Sequence, residues 1–213
     1  MLLVKEREAI VTYGKKLEES GLVVGTGGNI SWFDRKQGHM AITPSGREYH
    51  ELTLESIVVV DLQGDPVEGE GKPSSEWRMH AEVYSHRNDI SAVVHTHSPN
   101  ATALACMELG LPAFYYLMAI AGGDVRCAPY ATFGSTELAV AVREGMEGRS
   151  AVLMARHGLL AGAGRLDKAF SIARYMEAIA GIYLTCLSAG KDPGPMPEDE
   201  IERLKELFKA YQA

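Results

Sequence analysis

Two histidines separated by one residue end a short apolar segment of the sequence. The segment ISAVV runs directly into His95, Thr96 and His97. Its β-branched residues predict a buried strand, and side chains two positions apart on a strand point to the same face. Both imidazoles can therefore reach one cation without distortion of the backbone. Such a pair also occurs by chance, so a metal site needs support from elsewhere in the sequence.

A third histidine closes a second apolar run. The run AVLMA is followed by Arg156 and His157, and Gly158 comes next. Zinc favours nitrogen ligands, and a catalytic zinc site has three protein ligands and one open position. His95, His97 and His157 would supply that set. One histidine at a strand end is more often structural, but three that each close a buried strand favour a metal site.

Three segments rich in small and polar residues are candidates for binding an anion. They are GTGGN (25–29), TPSG (43–46) and PSSE (73–76). Glycines let the backbone present its N–H groups to an anion, and the start of a helix favours negative charge. Each segment alone is more often a simple turn or helix cap. Neither a phosphate-binding P-loop nor a dinucleotide fingerprint is present, so a nucleotide is not the expected ligand.

Glu76 follows these serines, in the first turn of a predicted helix. As a partner of the helix dipole it would contribute only ~0.3–1 kcal/mol. If the serines bind phosphate, the carboxylate lies a few ångströms further along the substrate and could act as a general base near a cation. We favour this second role because metal and anion candidates occur together. His80, four residues later, is predicted to be structural or to orient a metal ligand.

The elements that must position these residues alternate between helical and extended patterns. Apolar spacing predicts helices over 4–20 and 135–147, after PSSE, and from LDKAF to LSAG. Strands are expected in ISWF, from 39 into the turn at 46, in ESIVVVDLQGDPV and, once or twice, in RSAVLMARHGLLAGAG. LPAFYYLMAI and VRCAPYATFG are predicted to be strands or loops. The hairpin signals predict one α/β domain over 1–213 with a mixed or antiparallel sheet.

Composition narrows the class of protein. The chain has 213 residues, a formal net charge of -7 and 46% hydrophobic residues. This charge argues against a general nucleic-acid binder, which would carry a basic patch. Charges interrupt the apolar start of the chain, and no apolar run approaches the ~20 residues that span a bilayer. Three widely spaced cysteines are expected to be reduced, and a cytoplasmic protein without nucleic-acid or membrane partners is predicted.

Six motifs, taken in order, resemble the class II aldolases of the fuculose-phosphate aldolase and ribulose-phosphate 4-epimerase superfamily. They are GTGGNIS, ITPSG, PSSEWRMH, VVHTH, CAPYATFG and RHGLLAG, and the resemblance covers residues 5 to 190. Glu76 favours the aldolase branch, since the epimerase branch usually has Asp there. The resemblance implies a three-layer α/β/α fold around a mostly antiparallel sheet. It also implies a homotetramer with active sites at subunit interfaces.

The resemblance further implies roles for individual residues. Zinc would be held by His95, His97, His157 and Glu76, and Glu76 would also act as acid and base. The phosphate contacts would be Gly28, Asn29, Ser45, Gly46, Ser74 and Ser75. Tyr116 would cross a subunit interface to protonate the aldehyde oxygen, Tyr211 would close over the site, and Phe133 would form an apolar wall. Arg156 stands where relatives often carry His or Asn, and strand alternation predicts that its side chain points away.

The implied activity is zinc-dependent cleavage of a ketose 1-phosphate to dihydroxyacetone phosphate and an aldehyde. L-Fuculose 1-phosphate and related pentulose or deoxypentulose 1-phosphates are the expected substrates. A Schiff-base route is disfavoured because the lysines lie in polar stretches. A ketose-phosphate 4-epimerase or a methylthioribulose-phosphate dehydratase would use the same site. A non-enzymatic module like the adducin head would lack the metal site, and the three histidines and Glu76 argue against it.

Overall fold

The fold is built around an eight-stranded sheet with the strand order β4-β3-β2-β1-β5-β8-β7-β6. The computed structural model describes the backbone of residues 1–212 and the side chains of residues 1–210. The strands are β1 (Asn29–Asp34), β2 (His39–Ile42), β3 (Val58–Asp61), β4 (Pro66–Glu68), β5 (Ala92–Thr96), β6 (Cys127–Ala128), β7 (Ala151–Met154) and β8 (Gly158–Ala163). Neighbouring strands pair antiparallel, except for the parallel pair β6–β7. The predicted, mostly antiparallel sheet is confirmed.

Helices cover both faces of this sheet. They are α1 (Val4–Glu19), α2 (Trp77–His86), α3 (Pro99–Cys106), α4 (Thr136–Gly145), α5 (Leu166–Ser188) and α6 (Glu198–Gln212). The helices predicted from apolar spacing lie within a few residues of these bounds. Met79 and Val83 of α2 are buried, as their spacing predicts. Within the described chain, no helix has the length and apolar character that crossing a bilayer requires.

Alternating side chains divide the interior into two hydrophobic cores. Ile30, Val59 and Val94 belong to the core shared with α1, α3 and α5. Their strand neighbours Val58 and Val93 belong to the core shared with α2 and α4. A sheet buried on both faces explains why the sequence shows continuous apolar runs instead of a polar–apolar alternation. The three-layer α/β/α arrangement is therefore confirmed.

The segment 111–121 differs in part from its prediction as a strand or loop. Its second half, Tyr116–Ala121, forms a 3-10 helix, and Tyr49–Glu51 forms another. Met118 and Ala121 are both fully buried and lie three positions apart, which is one turn of a 3-10 helix. The aromatic and apolar composition suggested a strand or a loop, but the fold buries Met118, Ala119 and Ala121 in a short helix here.

Candidate active site

Strands β1 and β5 bring the chemistry-bearing residues onto one face of the sheet. Asn29 lies opposite His95 and Ser31 lies opposite Val93 in the antiparallel register. Since successive side chains alternate, residues 29, 31, 93 and 95 share a face, which is the one covered by α2 and α4. His97 follows β5 by one residue. The register therefore places the histidine pair beneath the start of α2.

Four predicted metal ligands meet at this position. One nitrogen or oxygen atom from each of Glu76, His95, His97 and His157 lies within 4.8 Å of the others. The ring centroids of the three histidines are 4.7 to 5.1 Å apart. His157 reaches the cluster from the tight connection between β7 and β8, and Glu76 reaches it from the residue that precedes α2. The structure thus brings together residues from three separate parts of the sequence.

The hydrogen bonds of His95 determine which of its nitrogens faces the cluster. His95 Nδ1 donates to the carbonyl oxygen of Leu159 at 2.9 Å, because a carbonyl can only accept. In the neutral ring, Nε2 then carries a lone pair. This lone pair faces Glu76 Oε2 at 3.3 Å and His97 Nε2 at 2.9 Å. A lone pair beside a carboxylate oxygen is unfavourable unless a cation lies between them.

The spacing of these atoms fits a divalent cation. Ligands held at about 2.1 Å by a tetrahedral ion lie roughly 3.4 Å from one another. The observed separations of 2.9 to 3.3 Å approach this value, and Glu76 Oε1 lies 3.2 Å from His157 Nε2. Glu76 Oε1 is also buried without a hydrogen-bond partner among the described residues. Three imidazole nitrogens and a carboxylate with one unpaired oxygen are a donor set that fits zinc or a similar ion.

Burial and the neighbouring groups shift the pKa values of Glu76 and His97. Burial alone would raise the pKa of Glu76, but the adjacent His95 and His157 rings lower it well below its usual range. Burial, together with His95 and His157, lowers the pKa of His97 to about 4. Three imidazolium ions at these distances would repel one another. The lowered pKa of His97 keeps this ring neutral near pH 7, so its lone pair is available for a cation.

The three candidate anion-binding segments also lie side by side. Pro44 pairs with Pro73 in an isolated β-bridge. Ser74 N–H donates to Thr43 O at 3.0 Å, and Thr43 Oγ1 accepts from Ile30 N–H at 3.2 Å. These contacts connect 25–29 and 43–46 with 73–76, next to Glu76. Of the candidate phosphate contacts, Ser45, Gly46 and Ser75 are exposed, Gly28 is half-buried, and Asn29 and Ser74 are buried.

Two glycines are required where backbones approach the histidines closely. A Cβ at Gly158 would lie 2.3 Å from Thr96 O, and a Cβ at Gly28 would lie 2.6 Å from His95 O. Gly28 also has a φ of 75°, in the left-handed region that glycine tolerates. Gly28 therefore serves the packing of the metal-ligand strand, whatever its role toward phosphate. The sequence offered a signal for this, since a glycine follows His157 directly and another precedes Asn29.

A cavity of about 320 Å³ opens next to Glu76, His97 and His157. Tyr130, Ala131 and Phe133 form its apolar side, and the aromatic rings are largely exposed. Phe133 thus lies where an apolar wall was predicted. Tyr130 was missed, although it belongs to the same motif, CAPYATFG. An apolar side facing a polar cluster suits a ligand with one reactive end and one apolar end.

Arg156 lines the same cavity, and the reasoning that its side chain points away by strand alternation was wrong. It lies in the β7–β8 connection with a φ of 57°, so the alternation of a strand does not apply. Its guanidinium donates to Glu108 Oε1 at 2.9 Å. The carboxylate of Glu108 therefore offsets the positive charge beside the cluster.

One predicted tyrosine, Tyr116, lies away from this cavity. The side chain of Tyr116 is 45% exposed and its ring lies 6.2 Å from that of Phe208. It does not line the cavity at Glu76. Tyr211 lies within α6, but its side chain falls outside the described residues. Within this chain, the cluster therefore forms without Tyr116.

Comparison with known proteins places this geometry in a family. The family model for the class II aldolase and adducin N-terminal domain matches residues 8–184. A 5-deoxy-D-ribulose 1-phosphate aldolase of Bacillus thuringiensis serovar kurstaki is 54% identical over 211 residues, 99% of each chain. A 5-methylthioribulose-1-phosphate/5-deoxyribulose-1-phosphate aldolase of Rhodospirillum rubrum is 42% identical over 96% of this chain and 91% of its own.

Solved structures agree with this assignment. One described as an L-fuculose 1-phosphate aldolase is 49% identical, covers 98% of each chain and has a TM-score of 0.95. Its agreement extends over nearly the whole fold, and the relatives above span nearly the whole sequence. The chain therefore belongs to the family of class II aldolases and adducin N-terminal domains, and it is an aldolase of that family.

Proposed function

We propose that this enzyme uses zinc to cleave a ketose 1-phosphate between C3 and C4, giving dihydroxyacetone phosphate and an aldehyde. The observation that supports this most is the convergence of Glu76 and three imidazole nitrogens beside an open, partly apolar cavity. A 5-deoxypentulose 1-phosphate is the preferred substrate in this proposal, and its products would be dihydroxyacetone phosphate and acetaldehyde.

The metal would be held by His95, His97 and His157, with Glu76 as the fourth ligand when no substrate is bound. A divalent ion in such a site is a Lewis acid that stabilises the negative charge left on the substrate oxygens when the bond breaks, by several kcal/mol. The hydrogen bond from His95 Nδ1 to Leu159 O keeps this ring oriented. The remaining steps belong to the protein's own side chains.

Glu76 is proposed to move the proton. Its carboxylate is buried and lies beside the cavity, where it would accept a proton from the substrate hydroxyl and return one to the carbon that remains. Tyr116, supplied by a neighbouring subunit, would protonate the aldehyde oxygen in the reverse, condensation direction and would hydrogen-bond the same oxygen during cleavage, and Tyr211 would cover the site. These two assignments depend on a homotetramer whose active sites are shared between subunits. The ring of Tyr116 is exposed, so a neighbouring subunit can contact it.

The phosphate would bind to the adjoining turns, through Gly28, Asn29, Ser45, Gly46, Ser74 and Ser75. Binding energy from this remote group fixes the reacting carbons over the metal and helps to lower the barrier. The adjacency of the three turns supports this assignment. We also propose that the chain is a single domain over 1–213 and acts in the cytoplasm.

The apolar side of the cavity supports the choice of a deoxy substrate. Tyr130, Ala131 and Phe133 offer few polar groups to a hydroxyl at the far end of the sugar, and a terminal methyl would bury apolar area there. The names of the relatives from Bacillus and Rhodospirillum point to the same class of substrate. The L-fuculose 1-phosphate aldolase of similar structure makes L-fuculose 1-phosphate the second candidate, since its aldehyde end also carries a methyl group.

A substrate panel tests the proposal. Purified enzyme is assayed with 5-deoxyribulose, ribulose and fuculose 1-phosphates, and each reaction is repeated with a chelator and with zinc restored. We expect release of dihydroxyacetone phosphate, with kcat/KM for the 5-deoxy sugar roughly 10-fold or more above that for ribulose 1-phosphate, because a methyl is better buried against an apolar wall. The chelator should abolish release and zinc should restore it.

The products separate the rival activities of the same site. A 4-epimerase would return one isomerised sugar phosphate, and a dehydratase acting on methylthioribulose 1-phosphate would return a dehydrated ketone. An adducin-like module would leave all substrates unchanged. Any of these outcomes, or undiminished cleavage after complete removal of metal, would contradict the proposal.

A further inference from the structure

A chain of buried polar residues runs from the core to Glu76. Asn29 Nδ2 donates to Glu76 Oε2 at 3.0 Å, and Asn29 Oδ1 contacts His80 Nε2 at 2.5 Å. His80 Nδ1 lies 2.6 Å from Ser31 Oγ, which lies 2.6 Å from the hydroxyl of Tyr84. Asn29, Ser31, His80 and Tyr84 are at most 2% exposed. Of these residues, Asn29 was predicted to contact phosphate, and His80 was predicted to be structural or to orient a metal ligand.

The direction of every hydrogen bond in this chain follows from the last one, which ends at the carboxylate of Glu76. A carboxylate can only accept, so Asn29 presents its NH₂ group to Glu76 and its oxygen to His80. His80 must then donate from Nε2, which leaves Nδ1 as an acceptor for the Ser31 hydroxyl. Ser31 in turn accepts from Tyr84. All four bonds therefore point toward Glu76 Oε2.

His80 is suited to a fixed neutral state in this chain. It is completely buried, and burial lowers its pKa to about 3. An imidazolium would carry a proton on Nδ1 as well, and the Ser31 hydroxyl would have to reverse its bond to Tyr84. The neutral ring with its proton on Nε2 satisfies every polar atom of His80.

From this geometry we infer that His80 is a positioning residue: its Nε2–H, acting through Asn29, holds Glu76 Oε2 and leaves Glu76 Oε1 for the substrate. The two carboxylate oxygens differ in the way this requires. Oε2 accepts from Asn29, whereas Oε1 makes no hydrogen bond among the described residues and faces His157 Nε2 at 3.2 Å, beside the cavity. The inference rests on the proposed role of Glu76 in proton transfer.

The obvious alternative is that His80 only fills the core. His80 and Tyr84 do pack from α2 against Ser31 of β1, and their loss would lower stability whatever their function. The two roles predict different effects on kcat when His80 is replaced by a residue of similar size. The amide nitrogen of glutamine can take the place of His80 Nε2–H, whereas leucine fills the volume and donates nothing.

The test compares His80→Gln and His80→Leu with Val83→Ala, a core substitution on the same helix outside the polar chain. Each variant is measured for kcat, KM, bound metal and thermal unfolding. We expect His80→Leu to lower kcat roughly 10- to 100-fold with little change in KM or bound metal, as for other groups that orient a catalytic side chain. His80→Gln should recover most of kcat, and Val83→Ala should lose stability but keep kcat.

A second measurement applies without any substrate. Two-bond proton–nitrogen spectra of the metal-loaded protein should show His80 protonated on Nε2 alone, with its signal assigned by its absence from His80→Gln. Tyr84→Phe removes the hydroxyl that donates the first hydrogen bond of the chain and should lower kcat about 2- to 5-fold. This variant replaces His80→Leu in the test if His80→Leu does not fold.

Three results would overturn the inference: a proton on Nδ1 of His80, equal kcat in His80→Leu and wild type, or no recovery in a folded His80→Gln. Failure of the proposed function would look different, because wild-type enzyme would then cleave none of the sugar phosphates. The spectrum would still report the tautomer in that case.

Discussion

Glu76→Gln should retain its metal and lose turnover by a factor of about 10² to 10⁴, the usual contribution of a general acid or base. The carboxylate lies at the centre of the cluster, within 3.3 Å of His95 Nε2 and within 3.2 Å of His157 Nε2. Glutamine keeps one oxygen for His95 and Asn29, places its amide nitrogen beside His157, and cannot take up a proton. Steady-state kinetics and metal analysis of the same preparation give both quantities.

Glu82→Gln is the matched control for this substitution. Glu82 lies on α2, six residues after Glu76, and its carboxylate pairs with Arg143 at 2.9 Å near the surface. Loss of such a pair costs about 0–1 kcal/mol of stability, so kcat should hardly change. If Glu76→Gln kept near-normal turnover, Glu76 would not be the residue that transfers the proton.

His95→Ala should empty the metal site and remove activity. His95 is fully buried and contacts both Glu76 and His97, so alanine removes a ligand and leaves unpaired polar groups behind. If the ion supplies about 4 kcal/mol of stabilisation, kcat/KM falls roughly 10³-fold without it. Metal content by mass spectrometry and kcat/KM at saturating zinc measure the two effects.

Two further variants keep this result interpretable. His97→Ala removes a ligand that is less buried, so it should lose metal with a smaller penalty to folding. His86→Ala removes an exposed histidine at the end of α2, where it contacts Glu82, and should change neither metal content nor rate. Full metal occupancy in both His95→Ala and His97→Ala would show that the ion binds elsewhere.

The metal cluster could be predicted from sequence because its signals are local. His95 and His97 end one apolar run and His157 ends another, and a buried strand delivers the residue at its end to the edge of the core. Glu76 was identified from serines that precede a helix. The fold class was also accessible, since hairpin signals and the six motifs agreed on a mostly antiparallel sheet between helices.

The hydrogen bonds that hold Glu76 could not be predicted from the sequence, because they depend on the register between strands β1 and β5. Asn29 reaches Glu76 only because β1 pairs with β5 so that residue 29 lies opposite His95. His80 was expected to be structural or to orient a metal ligand, but its contact with Asn29 joins residues 51 positions apart in sequence. Pattern alone does not state which strands are neighbours or how they are offset.

Local backbone geometry accounts for the other differences. The side-chain direction of Arg156 was predicted from the alternation of a strand. The structure instead places Arg156 in a tight connection, where its φ is positive. The 3-10 helix at Tyr116–Ala121 depends on tertiary burial of Met118 and Ala121, which outweighs the preference of aromatic residues for strands.

Anomalous diffraction at the zinc absorption edge tests the metal site most directly. Crystals of enzyme purified without added chelator should show a single strong peak per subunit. That peak should lie about 2.0–2.2 Å from Nε2 of His95 and from the facing atoms of His97, His157 and Glu76. A map with no peak between these four side chains, from enzyme that cleaves its substrate at full rate, would contradict a metal-dependent reaction at this site.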